Sequence, residues 1–151
     1  MGEPNSRNWV VTAVLIGAVY LAIGLAFTAL SGAATSRSWF YTWRFGAWIA
    51  CGAAYAVHIA YEHFRSRNPP SVSAFHAATA VAVGGFGLAA AATAHALLLA
   101  APARPPNLWR YALALVLWPV FTAVPAYLVA FGGTSALAWF QRPPDRSRTT
   151  R

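Results

Sequence analysis

Residues 58–63 read HIAYEH, which puts His58, Glu62 and His63 within six residues. The whole 151-residue chain holds only four histidines and three acids, so this is where its proton-active groups gather. Imidazole, carboxylate and phenol can pass protons, ligate metals or haem iron, and hydrogen-bond a quinone. The pattern extends upstream. Arg44, Trp48, Cys51, Tyr55, His58 and Glu62 follow one another at spacings of 4, 3, 4, 3 and 4. On a helix of 3.6 residues per turn such spacings draw one stripe. Ile49, Ala50, Ala53, Ala56, Val57 and Ala60 make the opposite face. His63 points about 100° from Glu62 and leaves the stripe, so the unit to consider is His58 with Glu62, joined by His76 across the next turn.

Three kinds of chemistry fit those residues. His58 and His76, at similar depth on neighbouring helices, could be axial ligands of haem b, with arginines near its propionates. His58, Glu62 and His76 could bind a divalent metal. A quinone could meet a histidine and Tyr55 or Tyr61. Transport is a further reading, with His58 and Glu62 taking up a proton; the run centres, however, hold no carboxylate. Hydrolysis has no support. Glu3 and Asp145 lie in the tails, no serine sits deep in a run beside a histidine, and Cys51 has no histidine at contact spacing. One cysteine also excludes an internal disulfide and a C-x-x-C motif.

The elements that carry these residues are set by composition. Hydrophobic residues make up 58% of the chain and charged residues 9%, against about 25% charged in a soluble domain. Such a chain cannot cover itself with a water-facing surface, and a lipid bilayer is the expected surrounding. The net charge of +8 comes entirely from arginines in short gaps and in the tail, without a basic helix face, so nucleic acid is not an expected partner. Four apolar runs, at about 9–30, 43–61, 72–101 and 111–131, each approach the roughly 20 residues needed to cross hydrocarbon. They lack the alternation of barrel strands. The fold expected is all-α, an integral membrane four-helix bundle running up-down-up-down through one domain at 9–140.

The gaps agree. In "RSRNPPS" (65–71) Asn68 precedes two prolines, which stops a helix, and Ser71 offers a cap for the next. "PARPPN" (102–107) repeats the device. Residues 141–151 form a basic tail without apolar period, expected to be disordered. Antiparallel neighbours place Arg7, Arg65, Arg67, Arg142, Arg146, Arg148 and Arg151 on one side, and Arg37, Arg44, Arg104 and Arg110 on the other. The richer side is expected to be cytoplasmic, so residues 1–8 and the C-terminus are both expected on the cytoplasmic side of the cell membrane. Cleavage after Ala33 is disfavoured, because the first run exceeds the apolar core of a signal peptide. Trp9, Trp39, Trp43, Trp109 and Trp139 fall where interfacial tryptophans belong.

Small residues suggest how the runs meet. His76, Ala80, Gly84, Gly87, Ala91 and His95 form a stripe, as do Ala13, Gly17, Tyr20, Gly24 and Thr28; both favour close helix packing, and the first could equally leave room for a flat ligand. Pro119 and Pro125 should bend the fourth run, with Thr122 placed to satisfy freed carbonyls. Glu62, in a last helical turn, opposes the helix dipole and calls for a cation, which Arg65 could supply, with a hydrogen bond to His58 one turn earlier. The sequence therefore favours a non-catalytic accessory or assembly subunit of a larger membrane complex, or a homo-oligomer. A haem-, metal- or quinone-binding subunit using His58, Glu62, His76 and Tyr55 is the alternative, followed by a small proton-coupled transporter.

Overall fold

A computed structural model describes residues 6–99 and 107–141. Four helices pack as a bundle: α1 (Ser6–Gly32), α2 (Arg37–Tyr61), α3 (Pro70–Leu98) and α4 (Leu108–Phe140). The N-terminal segment, the 102–107 loop up to Pro106 and the basic tail beyond Gln141 lie outside the described residues.

Local chemistry moves several helix ends from their expected places. α2 begins at Arg37, ahead of Trp43, because Ser36 is extended and its hydroxyl accepts the Trp39 N–H at 3.3 Å. At the other end, α2 passes into a π turn, Glu62–Ser66, and Arg67 then takes a left-handed conformation with φ 52°. α3 starts at Pro70, one residue before the expected cap; a proline there needs no N–H partner and has its φ preset. Ser71 is thus inside the first turn. α4 continues past Gly132 and Gly133 to Phe140. Two glycines cost a helix about 1 kcal/mol each relative to alanine. Packing offsets that cost here: Thr134, one residue further on, is buried and caps the Ala130 carbonyl, while Ala130 packs on Ala74 and Ala77 of α3.

α3 is the central helix, in long contact with α4 and α1. Its small-residue stripe is a packing surface. A methyl group on Gly84 would come within 2.7 Å of the Tyr20 Cβ, and one on Gly17 within 2.6 Å of Val83. The two backbones therefore approach as closely as glycine allows. The pairs Gly17–Val83, Tyr20–Gly84 and Gly24–Leu88 advance together along both chains, so α1 and α3 run parallel. α2 runs back between them in sequence, packing mainly on α1 and touching α3 and α4 far less. α4 is assigned as helix through Pro119 and Pro125. Thr122 donates to the Trp118 and Pro119 carbonyls, both at 3.0 Å. These are not the carbonyls one turn before each proline, so Thr122 does not repair the proline gaps as expected. Its hydroxyl instead nests over Gly85, where a Cβ would lie 2.7 Å away.

Three helical segments are long and apolar enough to cross a membrane: Asn8–Gly32, Pro70–Leu98 and Leu108–Phe140. The fourth expected span, α2, does not reach that standard, and the polar stripe is the reason.

Candidate ligand cavity and the polar end of the bundle

The stripe on α2 is buried at His58 and Glu62, half-buried at Tyr55 and Cys51, and exposed at Trp48 and Arg44, so it enters two different environments. At the end of the bundle shared by the α2 C-terminus and the α3 N-terminus, it is packed. His58 and Glu62 are 3% and 4% exposed. Glu62 lies where α2 gives way to the π turn, and that turn brings Asn68 back over it. Asn68 Nδ2 donates to Glu62 Oε2 at 2.9 Å, and His76 Nδ1 meets the same oxygen at 3.2 Å. An ionised carboxylate only accepts, so with Glu62 ionised the Nδ1 of His76 is the donor. The contact becomes an ion pair when the imidazole is protonated. Trp9 of α1 covers the His76 ring, stacked at 4.7 Å with planes 7° apart.

This arrangement corrects two expectations. Glu62 does not pair with Arg65; the carboxylate turns inward to His76 and Asn68, while Arg65 is exposed. Nor does Glu62 bond to His58, whose two ring nitrogens have no hydrogen-bond partner among the described residues. His63 is half-buried and stands edge-on to Phe64. Among the described residues no three His, Cys, Asp or Glu side chains gather as metal ligands would. A serine does lie beside a histidine: Ser73, one turn before His76 on α3. It is 1% exposed and its hydroxyl has no partner, so a substrate cannot reach it.

Above this end the stripe opens into a cavity of about 860 Å³ walled by all four helices. Arg44, Trp48, Cys51 and Tyr55 are its α2 wall. Tyr20, Gly24 and Thr28 come from α1, Gly84, Gly85 and Leu88 from α3, and Trp118, Phe121 and Pro125 from α4. It exists because α2 leans on α1 and stands off from α3 and α4. Tyr55 closes its lower end by donating its hydroxyl to the Ala126 carbonyl of α4. Tyr20 lines the same end; its hydroxyl is enclosed without a partner among the described residues. Several lining residues are also open to the outside of the bundle, Trp48 at 78% and Phe121 at 68%. The cavity therefore has a side window between α2 and α4. Its volume falls in the usual range for small-molecule sites, about 300–1,000 Å³. Of the lining residues only Arg44 is charged.

Of the four expected site residues, Glu62 and His76 meet, His58 is buried beside them in the packed end, and Tyr55 belongs to the cavity. Neither His58 nor His76 lines that cavity, so the open space is not where two axial histidines would need it. Sequence reasoning missed Trp9, read as an interfacial tryptophan, and Asn68, read as a helix stop. Both have second roles that only the fold assigns. Tyr20 was visible as part of a stripe, though not as a cavity wall.

No protein-family model matches the chain, and no curated protein or solved structure matches it.

Proposed function

We propose that this chain is a membrane protein that crosses the bilayer four times and holds a membrane-dissolved, largely apolar molecule between its helices, acting by binding rather than catalysis. The observation that carries this reading is the cavity of about 860 Å³, apolar over most of its wall and open sideways between α2 and α4. In a bilayer such a window faces lipid, so the ligand comes from the membrane itself.

The packing direction supports a crossing by α2. α1 and α3 are both candidate spans and run parallel. A chain that leaves α1 on one side can enter α3 from the other side only by returning across the bilayer, and α2 is the segment between. Its polar stripe is tolerated because it faces the cavity and the core. In this reading Tyr55 belongs to the binding site, and His58, Glu62 and His76 hold α2 to α3 below it. A quinone falls within the ligand class; a haem held by His58 and His76 draws no support from the cavity. The accessory-subunit expectation narrows to a subunit that carries a lipophilic ligand.

Purification in mild detergent, followed by solvent extraction and mass spectrometry, tests the reading. A Cβ at Gly52 meets nothing within 4 Å, and Gly52 lines the cavity. The Gly52→Leu variant should fold and lose the co-purifying molecule. Identical lipophilic contents in both proteins would overturn the proposal.

A further inference from the structure

We infer that the cavity selects an anionic, single-chain amphiphile, with its carboxylate or phosphate head against Arg44 and its tail running down to Tyr20 and Tyr55; this inference rests on the cavity reading above. The first support is the distribution of charge. Among the described residues the sole carboxylate is Glu62. It sits eighteen residues beyond Arg44, just past the end of α2, ~27 Å along the axis, and is held by His76 and Asn68. No described side chain can neutralise Arg44. The neighbouring cation, Arg37, points to the Tyr41 hydroxyl at 3.3 Å and does not line the cavity.

The second support is position. The Arg44 guanidinium lies 5.5 Å over the Phe40 ring, and Phe40 is itself a wall of the cavity. The charge is thus held at the cavity's upper end by a cation–π contact. Below it the wall is apolar. The hydroxyls of Thr28 and Ser31, which also line this end, donate to their own helix at Gly24 and Phe27. They leave Arg44 as the free donor there, and its fork of N–H groups suits carboxylate and phosphate oxygens.

The third support is length. Arg44 and Tyr55 are eleven residues apart, ~16 Å along α2. A head at the level of Arg44 therefore leaves room below it for a tail parallel to the helices. The side window lets that tail enter from the bilayer without the head leaving the interfacial layer. Two-chain lipids would have to leave one chain outside.

The test uses the whole protein in detergent micelles and brominated probes that quench tryptophan, since Trp48 and Trp118 line the cavity. Dibromostearate, carrying a carboxylate, should bind at least tenfold more tightly than dibromo-octadecanol, which lacks the charge, as expected for a charge-assisted contact. Arg44→Gln should abolish that preference and Arg44→Lys should retain most of it. Gly52→Leu should weaken both probes. Hexadecyl phosphate and palmitate should each displace dibromostearate, and the stronger competitor identifies the head as phosphate or carboxylate. Circular dichroism checks that every variant folds. Equal affinity for stearate and alcohol, or an undiminished preference in Arg44→Gln, would overturn the anionic assignment and leave the cavity reading intact; Arg44 would then merely reach for the lipid headgroup layer. Failure of both probes to bind the unmodified protein would overturn the cavity reading itself.

Discussion

Glu62 is a buried carboxylate whose one oxygen serves both His76 and Asn68. Removing it should therefore orphan two donors at once. Hydrogen bonds to a charged group contribute about 1.5–3 kcal/mol each, so Glu62→Leu should lower the thermal midpoint strongly. His58→Ala should also lower it, because deleting a buried ring leaves a void in a packed end. His63→Ala should lower it less than His58→Ala, because the His63 ring is only half-buried and rests edge-on against Phe64. Unfolding in detergent, followed by tryptophan fluorescence, orders the three variants; an equal loss in His63→Ala and His58→Ala would refute the division between stripe and surface. That division was legible in the sequence, since a spacing of four joins His58 to Glu62 and a spacing of one turns His63 away. The partners were not legible. Asn68 reaches Glu62 only because a π turn and the left-handed Arg67 fold the chain back. Trp9 meets His76 only because α1 and α3 run parallel. Neither event leaves a periodic signal.

At the scale of the helix, glycines of identical appearance in the sequence have opposite work. Gly84 lies in the close contact between α1 and α3. Its added methyl would lie 2.7 Å from the Tyr20 Cβ and 3.1 Å from the Gly17 carbonyl oxygen. A Cβ cannot rotate away and neither can backbone, so the helices must separate. Gly84→Ala should cost about 1–3 kcal/mol, as overpacking does. Gly52→Ala meets nothing within 4 Å and should leave stability unchanged or raise it by up to about 1 kcal/mol through helix propensity. Comparing the two thermal midpoints checks this; similar losses in both would mean that α2 is as tightly packed as α3. The stripes of small residues announced close packing, and the α1–α3 contact bears that out. The cavity was foreshadowed only as the alternative use of the α3 stripe, whose Gly84 lines it. It depends on how far α2 stands from α3 and α4, a distance set by tertiary packing on α1 and by the single Tyr55–Ala126 tie.

For the molecule as a whole, the decisive quantity is the number of crossings. Hydropathy alone counts three candidate spans and omits α2. Packing direction argues for four, because parallel α1 and α3 need a return path. The two counts place the chain differently. With four crossings, the turn after α1 at 33–36 and the turn before α3 at 67–69 lie on opposite sides of the membrane. With α2 lying outside the bilayer they lie on the same side. From the excess of arginines near the second turn and the chain ends, seven against four, the sequence expectation is that this side is cytoplasmic, and labelling tests it. The chain has one cysteine, Cys51, so a Cys51→Ser background makes single introduced thiols readable. A membrane-impermeant maleimide added to intact cells should label Ser36→Cys and spare Asn68→Ala/Ser66→Cys until the cells are permeabilised; Ser66→Cys alone should behave the same way, which separates the label's position from any effect of losing the Asn68–Glu62 bond. Labelling of the 36 and 66 positions from the same side would exclude α2 from the bilayer. The cavity would then face water along one wall, and the window between α2 and α4 could no longer admit a ligand from lipid.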